Sequence, residues 1–130
     1  MRILFDTSVA IAFRDGDPRI VERAGALEPV ALLSAVSLVE LESGVAAAAE
    51  GRAQRRAAPE AMREVLDILA FGEAEAAIYG QIVLALGFSR RSIIDRMIAA
   101  QSLAAGARLA SLNVRDFEAI PDLEVENWSA

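Results

Sequence analysis

The side chains that could do chemistry in this chain are mainly carboxylates. Its 130 residues include no His, no Cys and no Lys, so all 13 basic residues are Arg. This composition excludes imidazole bases, thiolates, Schiff bases, thiolate zinc sites and a P-loop lysine. Carboxylate and hydroxyl oxygens remain, and hard divalent cations such as Mg²⁺ and Mn²⁺ prefer these ligands.

Four acidic residues stand where the chain changes from apolar to polar. Asp6 ends an apolar run, Glu40 lies in SLVELESG, Asp95 opens the run DRMIAAQSLAAG, and Asp116 lies in SLNVRDF. Each also has a local explanation, because an acid at a strand end or a helix start is often a cap. The residues alone therefore leave a metal-binding role and a capping role open.

A fifth acid competes with one of the four. Glu42 lies two residues from Glu40, so on a helix the two side chains point in nearly opposite directions. Helical periodicity places Glu42 nearer the apolar arc of Leu38, Leu41 and Val45, and does not select Glu40. Periodicity thus leaves open which of the two acids enters a site.

Short apolar runs alternate with helical patterns along the chain. The predicted strands are Arg2–Phe5, Val30–Leu33, Ile68–Phe71, Arg108–Ser111 and Leu123–Asn127. The predicted helices are Val9–Phe13, Pro18–Ala26, Ser37 through the Ala46–Ala49 run, Pro59–Leu66, Glu73–Leu86 and Ser92 to Gly106, with a helical turn over Asn113–Phe117. This alternation predicts an α/β fold with a mostly parallel sheet of about four to five strands, covered by helices on both faces.

The predicted sheet gives the four acids a common location. Ligand sites in open α/β sheets form beyond the carboxyl ends of the strands. Asp6 and Asp116 follow predicted strands, whereas Glu40 and Asp95 begin predicted helices, each three residues after a serine as in a capping box. Carboxylates gathered at one edge raise each other's pKa unless a cation neutralises them, so a divalent ion is the expected occupant.

Composition bounds the class of protein. The length predicts one domain over residues 1–130, and the hydrophobic fraction of 55% argues against disorder. No apolar run reaches the roughly 18 residues of a membrane helix. No secretory signal is visible, and the lack of Cys is compatible with the reducing cytoplasm, which is the expected location.

Charge gives a mixed indication about nucleic acid. The formal charge is −6, whereas nucleic-acid binders usually present a basic face. The arginines nevertheless cluster at two places, which are Arg52, Arg55 and Arg56, and Arg90, Arg91 and Arg96. A positive rim around an acidic site and ordinary solvated helix faces both account for these clusters.

Taken in order, four motifs resemble those of the PIN-domain ribonucleases, and within them the VapC toxins of bacterial toxin–antitoxin pairs. ILFDTSVAIAF is similar to the family's opening strand with its Asp-Thr-Asn/Ser signature, and SAVSLVELESG to its second motif, Glu-Leu-x-x-Gly. IIDRMIAAQSLAAG resembles the third motif, and RLASLNVRDFEAIPDLEVENW the closing segment with its Asp-Phe pair and a final strand. The resemblance covers essentially the whole chain and implies a PIN-like α/β/α sandwich.

The resemblance also implies roles for individual residues. The family's metal-binding acids fall on Asp6, Glu40, Asp95 and Asp116, which selects Glu40 over Glu42. Supporting polar positions fall on Thr7, Ser8, Ser111 and Asn113.

Three residues depart from the family's commonest pattern. Ser8 replaces a frequent Asn, Leu112 stands where a polar residue or Arg is common, and Gln101 stands where a small residue is common. None of the three removes an implied metal ligand.

What the resemblance implies is a Mg²⁺- or Mn²⁺-dependent endoribonuclease that hydrolyses RNA phosphodiesters. It further implies a homodimer whose activity a cognate VapB-type antitoxin blocks. The helices Val9–Phe13 and Glu73–Leu86 are candidates for the dimer or antitoxin face, although core packing explains their apolar residues equally well. The alternative function is a catalytically silent PIN domain that binds RNA or protein. A haloacid-dehalogenase-type phosphatase is disfavoured because Ser8 stands where it needs a second Asp, and a receiver domain because the chain has no Lys.

Overall fold

The chain forms a five-stranded parallel sheet. A computed structural model describes residues 1–48 and 50–129, apart from the side chains of Gln54 and Arg55. The strands are β1 (Ile3–Phe5), β2 (Leu32–Ser34), β3 (Asp67–Leu69), β4 (Arg108–Ser111) and β5 (Val125–Asn127). Their order is β3-β2-β1-β4-β5, and every neighbouring pair is parallel. The strand order therefore changes direction at β1, and a crevice opens beyond the carboxyl end of this strand.

Helices lie on both faces of the sheet. They are α1 (Thr7–Arg14), α2 (Pro18–Gly25), α3 (Ala35–Ala47), α4 (Arg52–Val65), α5 (Glu73–Leu86) and α6 (Ile93–Ala105), with short 3₁₀ turns at Arg90–Ser92 and Val114–Asp116. The predicted α/β/α architecture is confirmed.

Alternate residues of each strand supply two separate cores. Phe5, Leu33 and Ala110 pack with helices α1 to α4, and Trp128 closes this layer against Phe5. Leu4, Leu32 and Leu109 pack on the other side with α5, α6 and Phe117. The central strand β1 is buried on both faces in this way, which is why its three residues are all apolar.

Most predicted boundaries agree with the structure to within two residues, but the predicted cap of α3 and the predicted start of α4 do not hold. The predicted capping box at Ser37 is wrong, because α3 begins earlier and Ser34 accepts the backbone N–H of Val36 at 2.9 Å. The predicted helix start at Pro59 is also wrong, because α4 begins at Arg52 and Pro59 lies inside it, buried. The predicted end of α3 at Ala49 falls outside the described residues.

The start of α6 differs in its capping. Ser92 precedes α6 but makes no side-chain capping hydrogen bond, so the predicted capping-box contact with Asp95 is absent from the described structure. Asp95 still lies in the first turn of α6. The Asp95 carboxylate therefore does not serve in the capping box that the spacing from Ser92 predicted.

None of the helices in the described part of the chain is both long and apolar enough to cross a membrane.

Candidate active site

Asp6 is held rigidly at the carboxyl end of the central strand. Its side chain is 3% exposed, and its Oδ1 accepts hydrogen bonds from Ser8 Oγ at 2.6 Å and from the Val9 N–H at 2.9 Å. Its Oδ2 accepts from Ser111 Oγ at 2.5 Å. Asp6 is thus the N-cap of α1 as well as a candidate metal ligand. The capping role and the metal-binding role that the sequence left open do not exclude each other at this residue.

The two serines that hold Asp6 are themselves fixed by the loop after β4. The backbone N–H of Leu112 donates to Ser8 Oγ at 3.0 Å, and that of Asn113 donates to Ser111 Oγ at 2.9 Å. Burial raises the pKa of Asp6, and the hydrogen bonds from Ser111, Ser8 and Val9 oppose that rise. The predicted supporting residues Ser8 and Ser111 therefore contact Asp6 directly, and Asn113 joins this network through its backbone.

Glu40 is linked to the first motif through a threonine. Thr7 Oγ1 donates to Glu40 Oε1 at 2.7 Å and lies 3.1 Å from Ser37 Oγ, which is buried. Thr7 begins α1 and Glu40 lies in α3, so this contact joins two elements that leave the same edge of the sheet. Ser37 was predicted only as a cap, and nothing in its local sequence marks it as part of this network.

Glu42 faces away from this network. Its carboxylate pairs with Arg56 of α4 and lies 3.4 Å from the guanidinium of Arg63. The hydrogen bond from Arg56 holds the pKa of Glu42 below its usual value. The competing acid thus joins α3 to α4, which is the side on which helical periodicity had placed it.

Asp95 and Asp116 line one cavity at this edge of the sheet. The cavity has a volume of about 380 Å³, and its other lining residues are Ser89, Arg91 and Ser92. The pKa of Asp95 is raised to about 6, first because the carboxyl is partly buried and then because Asp116, Asp6 and Glu40 repel its charge. All four predicted acids therefore act electrostatically on one region, although they come from distant parts of the sequence.

The donor set suits a hard divalent cation, and its spacing limits how such an ion would bind. The four carboxylates and the hydroxyls around them offer oxygen ligands alone. Among the described residues, no group of three or more acidic side chains lies close enough together to hold one ion jointly. This spacing fits an ion that takes one or two carboxylates directly and keeps several of its waters, as Mg²⁺ commonly does.

The arginines of the two predicted clusters have different surroundings in the structure. Arg56 pairs with Glu42, Arg52 donates to the Ala48 carbonyl, and Arg96 donates to the Gly87 carbonyl at 2.6 Å. Arg91 lines the cavity of Asp95, and Arg90 is exposed. The Arg55 side chain lies outside the described part of the chain.

Gln101, one of the departures from the family pattern, is buried beneath the site. Its Oε1 accepts from Ser34 Oγ at 2.5 Å, and its Nε2 donates to the carbonyls of Leu69 and Ala70 at 3.0 and 3.1 Å. The side chain therefore ties α6 to β2 and β3. A sequence pattern gives no indication of this role, since its partners lie 31 to 67 positions away.

Known proteins resemble this chain in both sequence and architecture. The PIN domain family model matches residues 3–123. The chain is 31% identical to Ribonuclease VapC of Rickettsia bellii over 96% of its own length and 95% of the relative's, and 29% identical to the tRNA(fMet)-specific endonuclease VapC of Shigella flexneri over 99% of both. Among solved structures, DNA-bound VapBC from Salmonella typhimurium superposes with a TM-score of 0.87 at 26% identity, covering 98% of each chain.

The chain therefore belongs to the PIN domain family. Within that family it is a VapC-type ribonuclease, as the curated relatives across the whole chain length show. The predicted family, fold class and nuclease activity are confirmed. Several of the solved structures that superpose on this chain are VapBC complexes, and this supports a cognate antitoxin as a partner.

Proposed function

We propose that this chain is a toxin that cuts RNA by metal-assisted hydrolysis, with Asp6, Glu40, Asp95 and Asp116 as its catalytic and metal-binding acids. The observation that carries the proposal is that Asp95 and Asp116 line one cavity, where burial first, and then the charges of Asp116, Asp6 and Glu40, raise the pKa of Asp95. Repulsion of this kind costs stability, and a bound cation relieves it. An edge of the sheet that had only a structural role would not need four carboxylates that repel one another.

The chain's own residues have defined tasks in this reaction. Asp6 and Asp95 would hold Mg²⁺ or Mn²⁺ most closely, and Glu40 and Asp116 would hold it directly or through water. When bound, the cation lowers the pKa of a water and stabilises charge on the phosphate. Hydrogen bonds from Ser8, Ser111 and Val9 orient Asp6 and favour its ionised form against the effect of burial, and Thr7 orients Glu40.

The test is end-mapped cleavage of total cellular RNA by the purified, antitoxin-free protein. Reactions with Mg²⁺, with Mn²⁺ and with chelator are run beside Asp6→Asn. We expect discrete cuts that need metal and disappear in the variant. Intact RNA under both metals, or equal cutting by Asp6→Asn, would sink the catalytic proposal and leave an RNA- or protein-binding module as the function.

Two acids of α3 provide a matched pair for the same assay. Glu40→Gln removes a proposed metal-binding acid, whereas Glu42→Gln removes a carboxylate that pairs with Arg56. We expect Glu40→Gln to abolish most cleavage and Glu42→Gln to retain it. Equal loss in both variants would mean that the helix, not the site, is responsible.

We also propose that a cognate antitoxin blocks the site and that the toxin is a homodimer in the cytoplasm. An acidic cavity suits an Arg or Lys side chain from an antitoxin. On α5, Leu84 is 88% and Leu86 37% exposed, and on α1 Ile11 is 39% exposed, whereas Val9 and Ala10 are core residues. These exposed side chains support α5 as the dimer face.

Light scattering coupled to size-exclusion chromatography tests the dimer. We expect the mass of two chains for the wild type and of one chain for Leu84→Glu. A monomeric wild type, or a dimeric Leu84→Glu, contradicts the proposed face. Addition of the cognate antitoxin should suppress cleavage at equimolar amounts.

A further inference from the structure

Segment 87–92, between α5 and α6, brings one arginine to the acidic cavity. Arg91 shares the lining of that cavity with Ser89, Ser92, Asp95 and Asp116. It lies in the 3₁₀ turn Arg90–Ser92, four residues before Asp95. The proposed metal-binding acids and a guanidinium therefore border the same space.

The position of this turn is fixed by several hydrogen bonds. Arg96 donates to the Gly87 carbonyl at 2.6 Å, the Ser92 N–H donates to the Ser89 carbonyl at 3.1 Å, and Ser89 Oγ donates to Ser92 Oγ at 3.2 Å. Arg91 thus lies in a segment whose backbone is held by these hydrogen bonds.

The Arg91 side chain makes no ion pair or hydrogen bond with the described part of the chain. Within the described residues its guanidinium has no carboxylate oxygen within 4.0 Å and makes no side-chain hydrogen bond. Arg56 and Arg108, by contrast, are paired with acids. Arg91 is also exposed, so its donors are available to a ligand in the cavity.

The chemistry of the cavity indicates which ligand that is. A protein of net charge −6 with four carboxylates at one edge repels a polyanion. A cation at the rim offsets that repulsion where the RNA must enter, and a planar guanidinium binds phosphate oxygens in a bidentate manner. A guanidinium that is left unpaired beside acids suits a phosphate better than a further cation.

We propose that Arg91 is a substrate-binding residue, whose guanidinium grips an RNA phosphate next to the scissile bond while Asp95 and Asp116 face the reacting group. This inference rests on the proposed function. Of the predicted cluster Arg90, Arg91 and Arg96, only Arg91 would then contact RNA. Arg96 would hold the segment in place, and Arg90 would have no role at the site.

Salt-dependent RNA binding tests the contact without relying on cleavage. In an Asp6→Asn background, a short fluorescein-labelled single-stranded RNA of mixed sequence is titrated by anisotropy between about 50 and about 200 mM salt. For Arg91→Ala we expect Kd to rise on the order of tenfold. The slope of log K against log salt should lose about 0.7 in magnitude, as for one phosphate contact to a single strand.

Two further variants separate this contact from general charge. Arg91→Lys retains the cation, so we expect it to keep the salt slope while recovering part of the affinity. Arg90→Ala removes the same charge one residue away, and we expect neither the slope nor Kd to change. Equal effects of Arg90→Ala and Arg91→Ala, or no effect of Arg91→Ala, overturn the proposal.

Cleavage and binding together distinguish failure of the nuclease proposal from failure of the Arg91 proposal. If the wild type cuts no RNA, the proposed nuclease mechanism fails, but the binding titration still decides the role of Arg91. If the wild type cuts RNA, Arg91→Ala should lower kcat/KM on the order of tenfold in parallel with Kd. An Arg91→Ala protein that binds RNA normally but loses antitoxin binding would assign the residue to the protein partner and overturn the inference.

Discussion

Ser111 Oγ lies 2.5 Å from Oδ2 of Asp6, across 105 positions of the chain. Ser111 ends β4 and Asp6 directly follows β1, and the parallel register that pairs Phe5 with Ala110 brings the two residues together. Their hydrogen bond joins the first motif of the sequence to the last. Because hydrogen bonds to a carboxylate favour its ionised form, this contact helps a buried Asp6 remain charged.

Ser111→Ala should therefore move the pH dependence of RNA cleavage. Removing the donor raises the pKa of Asp6 further, because burial then acts with less opposition. The acid limb of the single-turnover rate should shift to higher pH, and the unfolding free energy should fall by about 1–2 kcal/mol. Ser43→Ala is the control, since Ser43 is exposed and donates to the Val39 carbonyl within α3. An unchanged acid limb in Ser111→Ala would contradict this role.

Thr7→Val tests the orientation of Glu40 with almost no change of side-chain shape. The variant loses the hydroxyl that donates to Glu40 Oε1 at 2.7 Å. We expect RNA cleavage at saturating Mg²⁺ to fall about tenfold, the value of one lost charge-assisted hydrogen bond. Thr7→Ser retains the donor and should keep most of the activity. Full activity in Thr7→Val would show that Glu40 needs no such support.

The fold follows from local features of the sequence because apolar strands alternate with helices of the right length. Asp17 and Pro18 begin α2 as predicted, and Gly106 ends α6 in the left-handed conformation that favours glycine. The starts of α3 and α4 were less predictable. Ser34 and Ser37 are equally good caps by sequence, and Pro59 reads as a first helical residue until the tertiary position of α4 is known.

The sequence is sufficient to nominate four acids and two serines for the candidate site, whereas the finer assignments depend on distant contacts. Glu42 is set apart from Glu40 by Arg56, which lies 14 positions away on another helix. Local periodicity placed Glu42 correctly near the apolar arc but carried no information about its partner. Arg91 and Gln101 were likewise undecided, since their surroundings are built from other elements.

Asp95→Asn should stabilise the metal-free protein at neutral pH. The pKa of Asp95 is raised from 3.8 to about 6, so between these values the folded state holds a proton that the unfolded state has lost. The unfolding free energy of the wild type therefore falls as pH rises across this window, and it stays low above it. Asparagine carries no charge, so the variant avoids this loss.

The expected gain for Asp95→Asn is about 1 kcal/mol at pH near 7, after allowance for partial solvent exposure, and close to zero at pH near 4. Urea denaturation in chelator at both pH values measures it. Glu118→Gln, an exposed acid outside the cavity, is the control. A variant that is destabilised equally at both pH values would show that Asp95 has a structural role instead of a strained charge.

Gln101→Leu should destabilise the protein without touching the acids. The substitution preserves volume but removes the donor to the carbonyls of Leu69 and Ala70 and the acceptor for the Ser34 hydroxyl, and both Gln101 and Ser34 are fully buried. We expect a loss of about 2–4 kcal/mol, because unpaired buried polar groups retain their desolvation penalty. The double variant with Ser34→Ala should lose less than the sum of the single variants, since no hydroxyl then remains unpaired. Strict additivity would contradict the proposed network, and Gln81→Leu on the exposed side of α5 should be nearly neutral in the same urea titrations.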